Sequence, residues 1–185
     1  MSFWNTSDGE AVKAGGEYEA PGGLEPIPDK TDVIAYIDEI KWQEGKPEYG
    51  GGRKINYRIT VMQPEAYKNR KVYLNLWPNG DNPAKDAEKA KKQGDKDKRM
   101  LGAIATNAGG GLLAVEGEPT DDDLARELTQ KPMVFKLGLW SMPGDNGQTR
   151  EGNYLMAVSP ASKGVAEVKA QAPKTSSLDS DEIPF

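Results

Sequence analysis

The sequence predicts a mainly β fold: a small barrel of five strands with a helical insertion between the third and the fourth. Three observations carry that prediction. Short runs alternate apolar and polar residues with period two, one long helical stretch interrupts them after the third run, and Gly- and Pro-rich turns separate the rest. A chain of 185 residues suits one such domain with tails.

The first run is "DVIAYIDEIKW", following Thr31, and a Gly-rich gap, "EGKPEYGGGRK", separates it from the second. In "INYRITV" the residues Ile55, Tyr57, Ile59 and Val61 alternate with Asn56, Arg58 and Thr60, so Tyr57 is expected in the core and Arg58 outside. In the third run, "KVYLNLW", Val72, Leu74 and Leu76 face one way, and Tyr73, Asn75 and Trp77 face the other. After "PNGDNP" comes "AKDAEKAKKQGDKDKRMLGAIATNAGG", charged in its first half, with Met100, Leu101, Ile104 and Ala105 at helical spacing in its second. Gly94 is expected to split or kink this helix, and the glycines at 109–111 to stop it, since they lack the Lys-Ser/Thr of a phosphate loop. A short helix is expected at "TDDDLARELTQ", capped by Thr120. The three acids at its start suit the helix dipole, so they read as a helix start rather than a magnesium site. Two more strands, "KPMVFKLGLW" and "NYLMAVSP", flank the turn-rich "SMPGDNGQTREG". Five strands with a helix between the third and fourth is the layout of an OB-fold barrel, whose second and third strands and loops commonly meet single-stranded nucleic acid.

Residues 1–31 mix Gly, Pro and acids without a hydrophobic period and read as an extended, flexible N-terminal arm, with Phe3 and Trp4 as small anchors. Residues 32–159 form the barrel domain. Residues 160–185 are low in complexity and read as a disordered acidic tail.

Cys and His are both absent. That excludes disulfides, thiolate metal sites, Ser-His-Asp triads, Cys nucleophiles, haem ligation by His or Cys and ordinary zinc sites, while carboxylate-held magnesium stays open. The expectation is a protein that is not an enzyme and uses no cofactor and no metal. No stretch approaches the ~18 apolar residues of a membrane span, and "MSFWNTSDGE" does not resemble a secretory signal. The mean hydropathy of −0.72 fits a soluble cytoplasmic protein with no membrane partner.

The net charge of −5 is uneven. Residues 1–32 hold seven acids against two bases, residues 161–185 four against three, and residues 33–160 eighteen against nineteen. A near-neutral body binds a polyanion only where its bases cluster. Clusters occur at Arg53, Lys54 and Arg58 and at Lys68, Arg70 and Lys71, beside the outward row of Tyr73, Asn75 and Trp77. Rings in that row can stack on bases while the cations meet phosphates. The Gly-rich gap suits a finger that closes over a strand, with Tyr49 as an added ring. The run from Lys85 to Arg99, seven bases against four acids, reads as a solvated helix face with i,i+4 pairs.

The ending "LDSDEIPF" resembles the C-terminal tip of bacterial single-stranded DNA-binding proteins. The resemblance implies that Phe185 anchors in an apolar pocket of a partner enzyme. Ile183 and Pro184 would then shape the approach, and Asp179, Asp181 and Glu182 would supply electrostatic attraction. Ser180 and Glu182 depart from the run of Asp usual in such tips. The segments "NRKVYLNLWPN", "KPMVFKLGLW" and "NYLMAVSP" resemble phage-encoded OB-fold proteins that bind single-stranded DNA. The implied role is to coat single-stranded DNA without sequence specificity during phage replication, recombination or repair, in the cytoplasm of an infected bacterium. Its implied partners are single-stranded DNA and, through the tip, host or phage replication and recombination enzymes, with self-association left open. The alternative is an acidic interaction protein or DNA mimic that occupies the tip-binding pocket of a partner and binds no DNA. A carboxylate-metal nuclease ranks third.

Overall fold

The computed structural model describes residues 25–144 and 149–165, the side chain of Tyr49 excepted. The five strands are β1 (Thr31–Glu44), β2 (Arg53–Gln63), β3 (Lys71–Leu76), β4 (Met133–Pro143) and β5 (Thr149–Pro160), with helices α1 (Ala87–Asn107) and α2 (Asp121–Leu128) between β3 and β4. Among the described residues the four pairings between strands are antiparallel, and the sheet order is β3-β2-β1-β4-β5. The two edge strands, β3 and β5, curl round to lie against each other without pairing. This is the partly open five-stranded OB barrel with its helical insertion.

The alternation in β2 and β3 works as expected: Ile55, Tyr57, Ile59, Val72, Leu74 and Leu76 are buried. β1 changes phase. Val33, Ala35 and Ile37 point inward, a bulge falls between Ile37 and Glu39, and the next inward residue is Ile40. The extra residue, Asp38, therefore joins Glu39 on the outer face instead of leaving one of the two acids to point into the core. Phe135 and Leu137 from β4 close the interior, with Ile104, Leu112, Leu124 and Leu128 packed on them from the helical side.

Ile27, which precedes β1, is only 1% exposed and belongs to this core.

Gly94 does not split α1, which runs unbroken from its Asp86 N-cap. Ala90, Gly94 and Asp97 form one buried stripe of that helix. A Cβ on Gly94 would lie 2.7 Å from the Gly80 backbone, so the missing side chain is what lets the helix touch the turn after β3. Asp97 completes the contact by accepting the Trp77 N–H at 2.8 Å. Beyond Asn107 the chain turns through Gly109 and Gly110, both at positive φ (108° and 81°), as the helix stop requires. α2 starts with a capping box between Thr120 and Asp123. Among the described residues no helix is long and apolar enough to cross a membrane.

Candidate functional site

The outer faces of β1, β2 and β3 form one surface. Its register sets Glu39 opposite Arg58, Lys41 opposite Asn56, Arg58 opposite Tyr73, and Asn56 opposite Asn75. A groove of about 380 Å³ runs over these residues and Lys54. The Tyr73 ring is 71% exposed and stands at its edge beside Asn75.

Electrostatics tie this face together. Arg58 Nε donates to Asp38 Oδ1 at 2.7 Å, and Thr60 Oγ1 donates to Asp38 Oδ2 at 2.6 Å. Lys71 Nζ lies 3.6 Å from the same carboxylate, and Arg58 also reaches Glu39 at 3.3 Å. Partial burial pushes the Asp38 carboxyl up, but the hydrogen bonds from Thr60 and Arg58 outweigh it and hold it below the usual carboxylate value. Lys41 pairs with Glu39 at 2.8 Å, and that bond lowers the Glu39 carboxyl.

Of the expected site residues, Lys54, Arg58, Lys71, Tyr73 and Asn75 come together on this face. Trp77 lies just past the end of β3, half-buried, with Lys54 Nζ 5.6 Å above its ring, so it is not a third open ring in the row. The strand stops because the Trp77 N–H goes to Asp97 rather than to a ladder partner.

Arg53 falls on the other side of β2. It packs 4.3 Å over the Trp42 ring, sits 2.9 Å from Glu44 and bonds Glu118. The Gly-rich loop is docked rather than a free finger. Gly45 N–H donates to the Gly52 carbonyl at 2.6 Å, and Arg53 N–H donates to Asp81 at 2.8 Å. Gly52 rests against Trp77 and Pro83. Tyr49 ends a 3-10 turn of that loop, Pro47–Tyr49, and its side chain lies outside the described residues. So do the tip residues Asp179, Asp181, Glu182, Ile183, Pro184 and Phe185, and the anchors Phe3 and Trp4.

Period-two alternation along β1 does not single out Asp38, Glu39 and Lys41, because their place on this face depends on the bulge. Asp121 accepts the Trp42 N–H at 2.7 Å and Asp123 caps α2, so both acids are engaged structurally. Among the described residues no group of three or more Asp or Glu side chains is placed to hold a metal ion.

An OB barrel whose outer groove combines an open ring, an amide and cations can receive a flat, ring-bearing polyanion. No family model matches the sequence, and no curated protein matches it. Among solved structures the chain is similar to "Yeast RPA bound to ssDNA", at 11% identity over 75% of this chain and 81% of that one, with a TM-score of 0.36.

Proposed function

We propose that the protein binds single-stranded DNA across the outer face of β1, β2 and β3, with bases on Tyr73 and phosphates toward Lys54, Arg58 and Lys71. The observation that carries this reading is the Tyr73 ring, 71% exposed on a strand and aligned with Asn75 in a cation-edged groove. Ring faces and phosphates are common to every sequence, so binding is indifferent to base order. The finer reading is a coat for single strands in phage replication, recombination or repair in an infected bacterial cell. In that reading residues 178–185 recruit replication or recombination enzymes and Phe185 is the anchor. No catalytic step is assigned.

The test is titration of the full chain against labelled single-stranded DNA, duplex DNA and RNA of mixed sequence at two salt concentrations. Single-stranded DNA should bind best, and its affinity should fall as salt rises. Absence of single-strand binding at low salt overturns the reading. Asp38 and Glu39, which neutralise cations on this face, favour a second reading as an acidic interaction protein. In that case the tail still captures a partner enzyme while all three nucleic acids stay unbound.

A further inference from the structure

The β1–β2–β3 face is poor in spare positive charge. Arg58, Lys71 and Lys41 each lean on Asp38 or Glu39. Among the described residues Lys54 makes no ion pair, but one lysine neutralises little of a polyanion.

The missing charge stands on α1. Lys85, Lys89, Lys92 and Lys96 recur at helical spacing and so share one side of the helix and its N-terminal lead-in. They line a groove of about 470 Å³ whose other wall is β5. Lys89 pairs with Asp86 at 2.8 Å and Lys92 with Glu88 at 2.6 Å. Both pairs are exposed, and such pairs are weak enough for a phosphate to displace. Among the described residues Lys85 and Lys96 make no ion pair within 4 Å; the opposing charge that attracts both is the Asp97 carboxyl, which also lines the groove and whose charged form burial disfavours. Asn75 lines both this groove and the one on the outer face, so the two meet at the β3 edge.

The β5 wall supplies one ring, Tyr154, and Trp140 of β4 stands next to it beyond the groove's lining. In the β4–β5 ladder Tyr154 stands opposite Gly138, and Trp140 stands opposite Gly152. Each glycine lets the cross-strand ring lie over bare backbone: a Cβ on Gly152 would fall 2.6 Å from the Trp140 ring, and one on Gly138 would collide with the Tyr154 ring. Glycine inside a strand weakens it unless something must approach closely. Here what approaches is a pair of rings, set diagonally on one face and left 40% (Trp140) and 42% (Tyr154) exposed.

We infer that the bound strand continues past Asn75 into this second groove, with its phosphates along Lys85, Lys89, Lys92 and Lys96 and a base on Tyr154, beyond which Trp140 offers the next ring. The inference rests on the single-strand reading above and extends the ligand to a stretch that turns round the β3 edge.

The experiment measures affinity of the full-length protein for oligo-dT of about 5 and about 15 nucleotides, spanning the range of OB-fold site sizes, across a salt series. One variant carries Lys85→Gln, Lys89→Gln, Lys92→Gln and Lys96→Gln together. A second, Tyr154→Leu, keeps Gly138 covered but removes the ring. For the long oligonucleotide the lysine variant should lower the salt slope by about 1.5–3, the loss of two to four phosphate contacts. Tyr154→Leu should weaken the long oligonucleotide about 5–150-fold. The short oligonucleotide fits the first face and should be unaffected by either variant, whereas Tyr73→Ala should weaken both lengths. If the folded lysine variant keeps wild-type affinity and slope for the long strand while Tyr73→Ala weakens it, the second groove is not on the path and the single-strand reading stands. Equal losses on both lengths also overturn the path. If the wild type binds neither length, the single-strand reading falls and this inference falls with it.

Discussion

Asn153, on β5, grips Ile27 at both of its backbone groups. Its Oδ1 accepts the Ile27 N–H at 3.0 Å, and its Nδ2 donates to the Ile27 carbonyl at 2.7 Å and to the Gly138 carbonyl at 3.1 Å. One side chain thus satisfies a segment that has no strand partner and seats a buried isoleucine beside the gap between β3 and β5. Asn153→Ala leaves those groups unpaired and should cost about 2–3 kcal/mol, read as a lower midpoint in urea. Asn153→Asp restores only the acceptor half and should recover part of the loss.

Tyr57 points into the barrel from β2 and Tyr73 points out of it from β3, so their variants should separate binding from stability. Tyr73→Ala removes an exposed ring; if that ring stacks on a base, single-strand affinity should drop by ~1–3 kcal/mol with the melting temperature unchanged. Tyr57 is buried, and its hydroxyl has no hydrogen-bond partner among the described residues. Tyr57→Phe removes that unpaired group and should leave stability equal or raise it by up to about 1 kcal/mol, with affinity unaltered.

Gly94→Ala opposes helix propensity to packing. Alanine in a helix interior is favoured over glycine by ~1 kcal/mol, yet its Cβ would sit 2.7 Å from the Gly80 backbone. Backbone cannot give way as a flexible side chain can, so the clash should win, with a net loss of about 1–3 kcal/mol. Gly102→Ala is the control, because a Cβ there meets nothing within 4 Å and should be neutral or stabilising.

Three aspartates give stability an acid dependence of two opposite signs. Asp38 has a lowered carboxyl because hydrogen bonds from Thr60 and Arg58 outweigh its burial. Asp123 is held at about 2, first by the Thr120 hydroxyl and backbone of the capping box. The stability these two contribute is fully present above the ordinary value of 3.8 and is lost as pH falls through their folded values. Asp97 is raised, because burial penalises its charge more than the Trp77 N–H stabilises it. The folded protein therefore holds that proton more tightly than the unfolded chain. The Asp97 contribution grows as pH drops through its folded value and levels off below 3.8. Urea titrations of Asp97→Asn and Asp38→Asn between pH 3 and 7 check this. The first variant should lose a component that improves toward acid, the second a component that decays toward acid.

Deleting Phe185 tests the tip. A host enzyme that reads such tips should lose most of its binding, while affinity for single-stranded DNA is retained. Replacing Ile183, Pro184 and Phe185 with Ser keeps the acids and should have the same effect on enzyme capture. Equal pull-down of enzymes by all three forms would leave the tail as a solubilising segment only.

By itself the sequence determined the strand and helix order, the inward row of β2 and β3 and the outward placement of Tyr73 and Asn75. Period-two alternation and capping chemistry act within a few residues and leave their mark locally. The Thr120 cap and the glycine stop after α1 were legible for the same reason. Tertiary structure decided the rest. A bulge at Asp38 swung two acids onto the outer face and paired them with Arg58 and Lys71, and no pattern within β1 announces which residue a partner strand will leave unpaired. From sequence alone Gly94 is a helix breaker; the turn at Gly80 packed against it makes it a contact point instead. By local pattern the lysines of α1 make a solvated face and Tyr154 is one more strand residue. They share a groove only because β3 and β5 close the barrel beneath the helix, and register and closure join residues whose separation in the chain no local periodicity can span.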